Sequence, residues 1–239
     1  MINKKFLAII TARSGSKGLK NKNLCKIDNK PLISFPILAA LKSKYIEDVV
    51  VSTDSKEIAK IAKKFGAIIP FKRPSNLSKD RTPSSEVVIH CLNYFKKKEI
   101  NYKYFILLEP TSPFTEHTDI DKAISMIIKK TNADSIVGVS KAENSHPNFL
   151  SKINSSGVLS PYKKKFGVYR RQDISNLYFF DGSFYISKVK TYLKKKTFYH
   201  NKTLGLIMPK WKSFEVDTIF DLIIMRTIYK NRKKFSNEY

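Results

Sequence analysis

Short apolar runs rich in β-branched residues alternate with helix-like segments from residue 6 to residue 139, and this rhythm constrains the fold more than any other feature of the chain. Strands are expected at 6–11, 48–53, 67–71, 104–108 and 135–139, and helices at 31–43, 56–65, 84–98 and 118–130. A strand, a helix and a second strand in succession pair parallel, because the crossover returns the chain to the same end of the sheet. The expected class is therefore α/β, with a doubly wound, mostly parallel sheet. Pro31 suits the first turn of its helix, whereas Pro36 is expected to bend it. Asp119 and Asp121 fall early in theirs and complement its dipole.

Beyond Ser140 the rhythm changes. Residues 148–162 read as a hairpin, with Ile153-Asn-Ser-Ser-Gly157 as its turn, and a basic loop follows at 163–171. Strands resume at 183–186 and 204–208, and a last helix is expected at 219–229. No repeat or low-complexity linker interrupts the chain, so residues 1–239 read as one domain with an embedded excursion at about 141–175. A hairpin carrying exposed aromatic and apolar residues is a candidate subunit contact, and a homodimer is expected.

In doubly wound sheets ligands lie beyond the carboxyl ends of the strands, where the winding reverses. The loop after the first strand, Ala12-Arg-Ser-Gly-Ser-Lys-Gly-Leu-Lys-Asn-Lys-Asn23, falls at such an end. It offers backbone N–H groups and the cations Arg13, Lys17, Lys20 and Lys22 to one small volume, which suits a nucleoside triphosphate. It is not a P-loop, because no Gly-x-x-x-x-Gly-Lys-Ser/Thr occurs. In so lysine-rich a chain the bland alternative is a solvated basic turn. Ser52-Thr-Asp54 and Glu109-Pro-Thr-Ser-Pro113 follow other strands and converge on the same rim.

The formal net charge of +25 over 239 residues raises the question of nucleic acid. Most of the excess is lysine, scattered in runs such as Lys96-Lys-Lys98 and Lys194-Lys-Lys196 that read as solvated faces, so no nucleic-acid partner is expected. No apolar run approaches the roughly 20 residues of a membrane span, and no membrane partner is expected. Cys25 and Cys91 have no metal or redox spacing, and a cytoplasmic location is expected. His90, His117, His146 and His200 show neither ligand spacing nor a nucleophile, which argues against a histidine-serine hydrolase.

The order Ala12-Arg13, Ser16-Lys-Gly18, Lys22-Asn23-Leu24, Ser52-Thr-Asp54, Arg73-Pro74, Pro110-Thr-Ser-Pro113, Arg171-Gln172, Gly182, Tyr185-Ile186 and Asp217-Thr218 resembles the acylneuraminate cytidylyltransferases, which are the CMP-sialic acid synthetases and their relatives. The resemblance spans nearly the whole chain. It implies the nucleotide-diphospho-sugar transferase variety of the α/β fold, with the excursion as dimerisation element. The implied reaction joins CTP and a nine-carbon keto sugar acid, a nonulosonic acid, to give CMP-sugar and pyrophosphate. Mg²⁺ is the implied cofactor, and the anomeric hydroxyl attacks the α-phosphorus in line.

Residue by residue, the resemblance makes Arg13, Ser16, Lys17 and Lys22 the triphosphate set, with the Ala12 backbone beside them. Lys17 and Arg13 are expected to stabilise the leaving pyrophosphate. Asn23, Arg73 and Ser84 or Ser85 match the cytosine and ribose positions, although Asn23 also reads as a turn residue and Ser84 as a helix cap. Asp217 matches a metal-binding aspartate. Glu215 stands two residues before it, so in extended backbone both carboxylates face one way while Val216 faces the core. Locally, Asp217 or Thr218 could instead cap the last helix, with Thr218-Ile-Phe-Asp221 as a capping box.

Glu109, Thr111, Ser112, Arg171, Asp181, Gly182 and Tyr185 fall at the sugar-facing positions, and Lys141 is a further candidate partner for the sugar carboxylate. Here the chain departs from the sialic-acid pattern. Glu109 replaces a glutamine, and Phe179-Phe-Asp-Gly182 replaces Arg-Pro-Asn-Gly. These changes favour a legionaminic or pseudaminic relative over N-acetylneuraminic acid. The alternatives are another sugar nucleotidyltransferase, such as a 3-deoxy-manno-octulosonate cytidylyltransferase or one using a different NTP, and, from another class, a basic nucleic-acid-binding module.

Overall fold

The computed structural model describes residues 2–16, 18–143, 145–162, 170 and 174–235, with side chains from Lys5 onward. Lys17 and Arg171, two of the expected site residues, lie outside the described residues. The elements in chain order are β1 (Ile2–Thr11), β2 (Lys26–Ile27), β3 (Lys30–Pro31), α1 (Ser34–Lys42), β4 (Asp48–Ser52), α2 (Lys56–Lys64), α3 (Ser84–Lys97), β5 (Ile100–Leu108), α4 (His117–Lys129), β6 (Ser135–Lys141), β7 (Ser151–Ile153), β8 (Leu159–Pro161), β9 (Tyr178–Lys188), α5 (Val189–Lys195), β10 (Thr203–Ile207) and α6 (Ile219–Phe235).

Six strands form the main sheet in the order β10-β6-β9-β5-β1-β4. β1 pairs parallel with β4 and β5, and β6 with β10, while β9 runs antiparallel between β5 and β6. The winding leaves β1 for β4 on one side and returns for β5 on the other. Their following loops part there and leave a crevice at the carboxyl rim.

The period-2 alternation of the strands sorts their apolar residues onto two faces. Phe6, Ala8, Ile10, Ile106 and Ile186 pack with α1, α2 and α4, whereas Leu7, Ile9, Phe105 and Leu107 pack with α3 and α5. A third cluster, with Ile27, Leu32, Phe114, Trp211, Val216, Leu222 and Met225, binds α6 and the β2–β3 pair to the rim near the crevice.

Three local expectations need correction. Residues 67–71 make only the isolated bridges Val50 to Ile68 and Thr53 to Lys72, because Pro70 has no N–H to offer a ladder. Pro31 lies in β3 rather than in the helix, and its carbonyl accepts from the Ser34 hydroxyl at 2.7 Å where α1 begins. Pro36 therefore falls in the first turn, where no N–H is needed, and it does not bend α1. The expected hairpin is present as β7 and β8, with Gly157 at φ +80° in its turn.

Candidate active site

Beyond β1 and β5 lies a cleft of about 550 Å³ lined by the basic loop, the segment between α2 and α3, the start of α3, the loop after β5 and the stretch before α6. Arg13, Ser16, Lys22, Asn23, Arg73, Ser84, Glu109, Thr111 and Asp217 all line it. The distant ends of the chain meet here: Lys22 Nζ donates to Asp217 Oδ1 at 2.9 Å. A Cβ placed on Gly18 would lie 2.4 Å from the Asp217 carbonyl oxygen, so only glycine lets the basic loop come this close.

The loop is held from behind. The Ser14 backbone N–H and hydroxyl donate to the Asp54 carboxylate at 2.9 and 2.6 Å, and the buried Asn23 amide donates to the Arg13 carbonyl at 2.9 Å. Burial opposes ionisation of Asp54, yet the Ser14 hydrogen bonds outweigh it and hold the carboxyl below its ordinary range. Arg13 pairs with Asp80 across the cleft. Arg73 is buried, with Nε donating to Ser52 Oγ at 3.1 Å and Nη2 to the Ser52 carbonyl. Burial lowers its pKa to about 10, partly offset by Asp54.

The acidic side is a short stretch of irregular backbone after a buried lysine. Lys212 Nζ donates to Glu116 Oε2 and Asp119 Oδ2, each at 2.6 Å, and so pins this stretch to the capping box that starts α4. Val216 is fully buried and donates its N–H to the Thr111 carbonyl at 2.9 Å, which leaves Glu215 and Asp217 turned outward. Thr218 and Asp221 form the capping box, with Asp221 Oδ2 accepting from the Asp217 N–H, the Thr218 N–H and the Thr218 hydroxyl. The cap uses the Asp217 backbone and leaves its carboxylate to Lys22.

Glu215 reaches Ser112, whose hydroxyl donates to Oε1 at 3.4 Å, and it closes over Gly182, where a Cβ would stand 1.5 Å from Oε1. Burial, then Glu109 and Asp217, push the Glu215 carboxyl up to about 7. Burial also raises Glu109, with Lys22 acting in the opposite sense. Glu215 and Asp217 are hard oxygen donors in a sparse set, and among the described residues no three His, Cys, Asp or Glu side chains gather closely enough to hold a metal ion. Such a donor pair fits Mg²⁺, which keeps waters and takes further oxygens from a bound phosphate.

Several expected residues stand elsewhere. Asp181 is buried and structural: its carboxylate accepts from Ser140 Oγ at 2.7 Å, Ser183 Oγ at 2.6 Å and Ser183 N at 3.1 Å, filling the bulge opposite Gly138. Ala12 is buried and its N–H is bonded to the Ser52 carbonyl at 3.1 Å. Ser84 lines the cleft as the first helical residue without capping α3 through its side chain, and Ser85 is not part of the lining. Lys141 opens onto a separate depression with Phe179 and Phe214. Tyr185 is not part of the cleft lining and is hydrogen-bonded to Tyr199. Asp80, Lys212 and Tyr199 were not singled out from sequence, since each acts through a partner remote in the chain; Asp54 was named only within Ser52-Thr-Asp54, without its role of holding Ser14.

A mostly parallel sheet with one antiparallel strand and a charged cleft at its carboxyl rim defines an α/β protein of the nucleotidyltransferase fold. The solved CMP:2-keto-3-deoxy-manno-octonic acid synthetase, in complex with CTP, superposes with a TM-score of 0.68 at 16% identity, covering 96% of this chain and 100% of that one. The chain belongs to the cytidylyltransferase family, whose model matches residues 7–235. It is 35% identical over 232 residues to the N-acylneuraminate cytidylyltransferase of Escherichia coli, covering 96% of this chain and 54% of that protein, so it spans about half of that relative's length. It is also 35% identical over 220 residues to the CMP-N,N'-diacetyllegionaminic acid synthase of Legionella pneumophila, covering 91% of this chain and 93% of that protein.

Proposed function

We propose that the protein activates a nonulosonic acid of the sialic, legionaminic or pseudaminic type with CTP, giving the CMP-sugar and pyrophosphate. The anomeric oxygen forms a bond to the α-phosphorus, the bond to the β-phosphate oxygen breaks, and the hydroxyl proton is lost to the medium. The observation that carries this reading is the meeting of Lys22 and Asp217 at 2.9 Å inside one cleft. A polyphosphate entering there finds cations on one wall and carboxylates on the other.

In this reading Arg13, Ser16, Lys17 and Lys22 hold the triphosphate, while Asn23, Arg73 and Ser84 face the nucleoside. Charges fixed before the reaction stabilise a departing pyrophosphate better than water that must reorient. Asp217 and Glu215 would hold Mg²⁺, which when bound screens the phosphate charge. Thr111, Ser112 and Gly182 form the wall against which the sugar acid is aligned. The excursion is the proposed homodimer contact, supported by the exposure of Ile153, Val158, Leu159 and Tyr162. Both cysteines are free, which accords with the cytoplasm as the site of action. Among the described residues no helix is long and apolar enough to cross a membrane.

The test is pyrophosphate release with CTP, Mg²⁺ and a panel of nonulosonic acids, repeated with each other NTP. Release with CTP and at least one sugar is expected, slower by at least about a hundredfold in Lys17→Ala, as loss of one electrostatic stabiliser can be. No release with any pair, together with steeply salt-dependent binding to nucleic acid, would replace this reading with the binding-module alternative.

A further inference from the structure

The basic loop owes its shape to a carboxylate outside the cleft. The peptide between Arg13 and Ser14 is held at both polar ends: its carbonyl oxygen accepts from the Asn23 amide at 2.9 Å, and its N–H donates to Asp54 Oδ1 at 2.9 Å. The Ser14 hydroxyl takes the other carboxylate oxygen at 2.6 Å. The Cα atoms of Arg13 and Ser14 both lie in that peptide plane, so fixing the plane fixes where the two residues stand. Ser14 and Gly15 are exposed, and a Cβ on Gly15 would meet nothing within 4 Å among the described residues. Hydrogen bonds rather than packing therefore hold this part of the loop.

Asp54 is itself anchored to rigid elements. It stands two residues beyond β4, whose last residue, Ser52, pairs with Thr11 of β1. It also directly precedes Ser55, whose hydroxyl caps α2 by accepting from the Ile58 N–H at 3.2 Å. The same turn holds Arg73, whose N–H donates to the Thr53 carbonyl at 2.8 Å and whose Nε donates to Ser52 Oγ at 3.1 Å. Arg73 feels Arg13 as a like charge and Asp54 as an opposite one, so the carboxylate also offsets repulsion between the two arginines. Arg13 and Arg73 line the cleft, whereas Asp54 and Ser14 are not part of its lining.

We propose that Asp54 is a positioning residue for the triphosphate: acting through Ser14, it presets the basic loop to receive the β- and γ-phosphates at a fixed distance from the nucleoside beside Arg73. This rests on the cytidylyltransferase reading above and concerns how the same site measures its nucleotide. A loop ordered before the ligand arrives need not be ordered by it, so the anchor contributes affinity that only the distal phosphates gain. CMP lacks those phosphates and gains little.

The experiment is calorimetric binding of CTP and of CMP, each with Mg²⁺, to the native protein, Asp54→Ala, Asp54→Asn and Ser14→Ala, with thermal melting of each. Asp54→Ala should weaken CTP at least about tenfold, as loss of a hydrogen bond to a charged group can, and CMP less than about threefold. Asp54→Asn should recover part of the CTP affinity, because its amide oxygen can accept from the Ser14 N–H while its amide nitrogen donates to the hydroxyl. Ser14→Ala, on the exposed loop, should show the same pattern more weakly, and it decides the matter if Asp54→Ala does not melt cooperatively. A merely structural carboxylate would lower the melting temperature and weaken both nucleotides alike. That result, or native CTP affinity in both Asp54→Ala and Ser14→Ala, overturns the assignment. Failure of the native protein to bind either nucleotide refutes the cytidylyltransferase reading itself.

Discussion

Gly18 is where the amino-terminal loop and the carboxyl-terminal acidic stretch touch, because a Cβ there would stand 2.4 Å from the Asp217 carbonyl oxygen. Backbone cannot yield as a flexible side chain would, so Gly18→Ala must push the two walls apart. Pyrophosphate release should fall by about ten- to a hundredfold, since displacement by about 1 Å can cost that much, and the melting temperature should change little. Unimpaired turnover would show that the close approach does not matter. Glu215 makes a second residue-scale prediction through its carboxyl, pushed up to about 7 by burial and by Glu109 and Asp217. A raised carboxyl favours the protonated form in the fold, so its stabilisation is complete below the unfolded value of about 4.3 and lost as pH climbs through the folded one. Without metal, the melting temperature should therefore fall more steeply between about pH 5 and pH 8 in the native protein than in Glu215→Gln. Parallel slopes would contradict the assignment. At this scale the sequence carries Arg13, Lys22, Asn23 and Asp217 plainly, because a basic glycine loop after a strand and carboxylates two apart in extended backbone are local patterns. It places Asp54 at the rim within Ser52-Thr-Asp54 but not its pairing with Ser14, 40 residues away, and it does not carry Asp80, whose partner Arg13 lies 67 residues away. Asp181 reads as a polar residue before a glycine, and only the bulge in β9 turns it inward among Ser140 and Ser183.

Among the elements, the stretch before α6 depends on Lys212, which is buried and bonded to both carboxylates at the start of α4. Lys212→Met leaves Asp119 half-buried without its cation, and a loss of about 3 kcal/mol is expected from chemical denaturation, as for other broken buried pairs. A loss below about 0.5 kcal/mol would place the pair among ordinary surface contacts. The strands and helices themselves were largely legible, since β-branched runs and apolar spacing follow directly from what each face must bury. α6 runs to Phe235 rather than to 229, because its last turns combine good helix formers with lysines that suit the carboxyl end of the dipole. β9 is longer than its apolar core at 183–186, since pairing with β6 extends it through Tyr178 to Phe180 past the bulge. Such pairing depends on a strand about forty residues earlier, which no local pattern encodes.

Across the whole molecule, the sheet order places the loops after β1 and β5 on either side of the switch point, and α6 returns the chain to the same rim. The net charge of +25 adds a long-range attraction for polyanions without selecting among them. In the proposed reading selection comes from the cleft, where cations from the first strand's loop and carboxylates from the last irregular stretch would address one polyphosphate. Calorimetric binding of CTP in the presence of Mg²⁺ tests this most directly, in the native protein, in Lys22→Ala, in Asp217→Asn and in the double variant. Each single change should weaken binding at least about tenfold, and the double variant should lose less than the two losses summed, because residues addressing one ligand couple. Binding of CTP at native affinity by both single variants would show that the two walls do not hold a common polyphosphate.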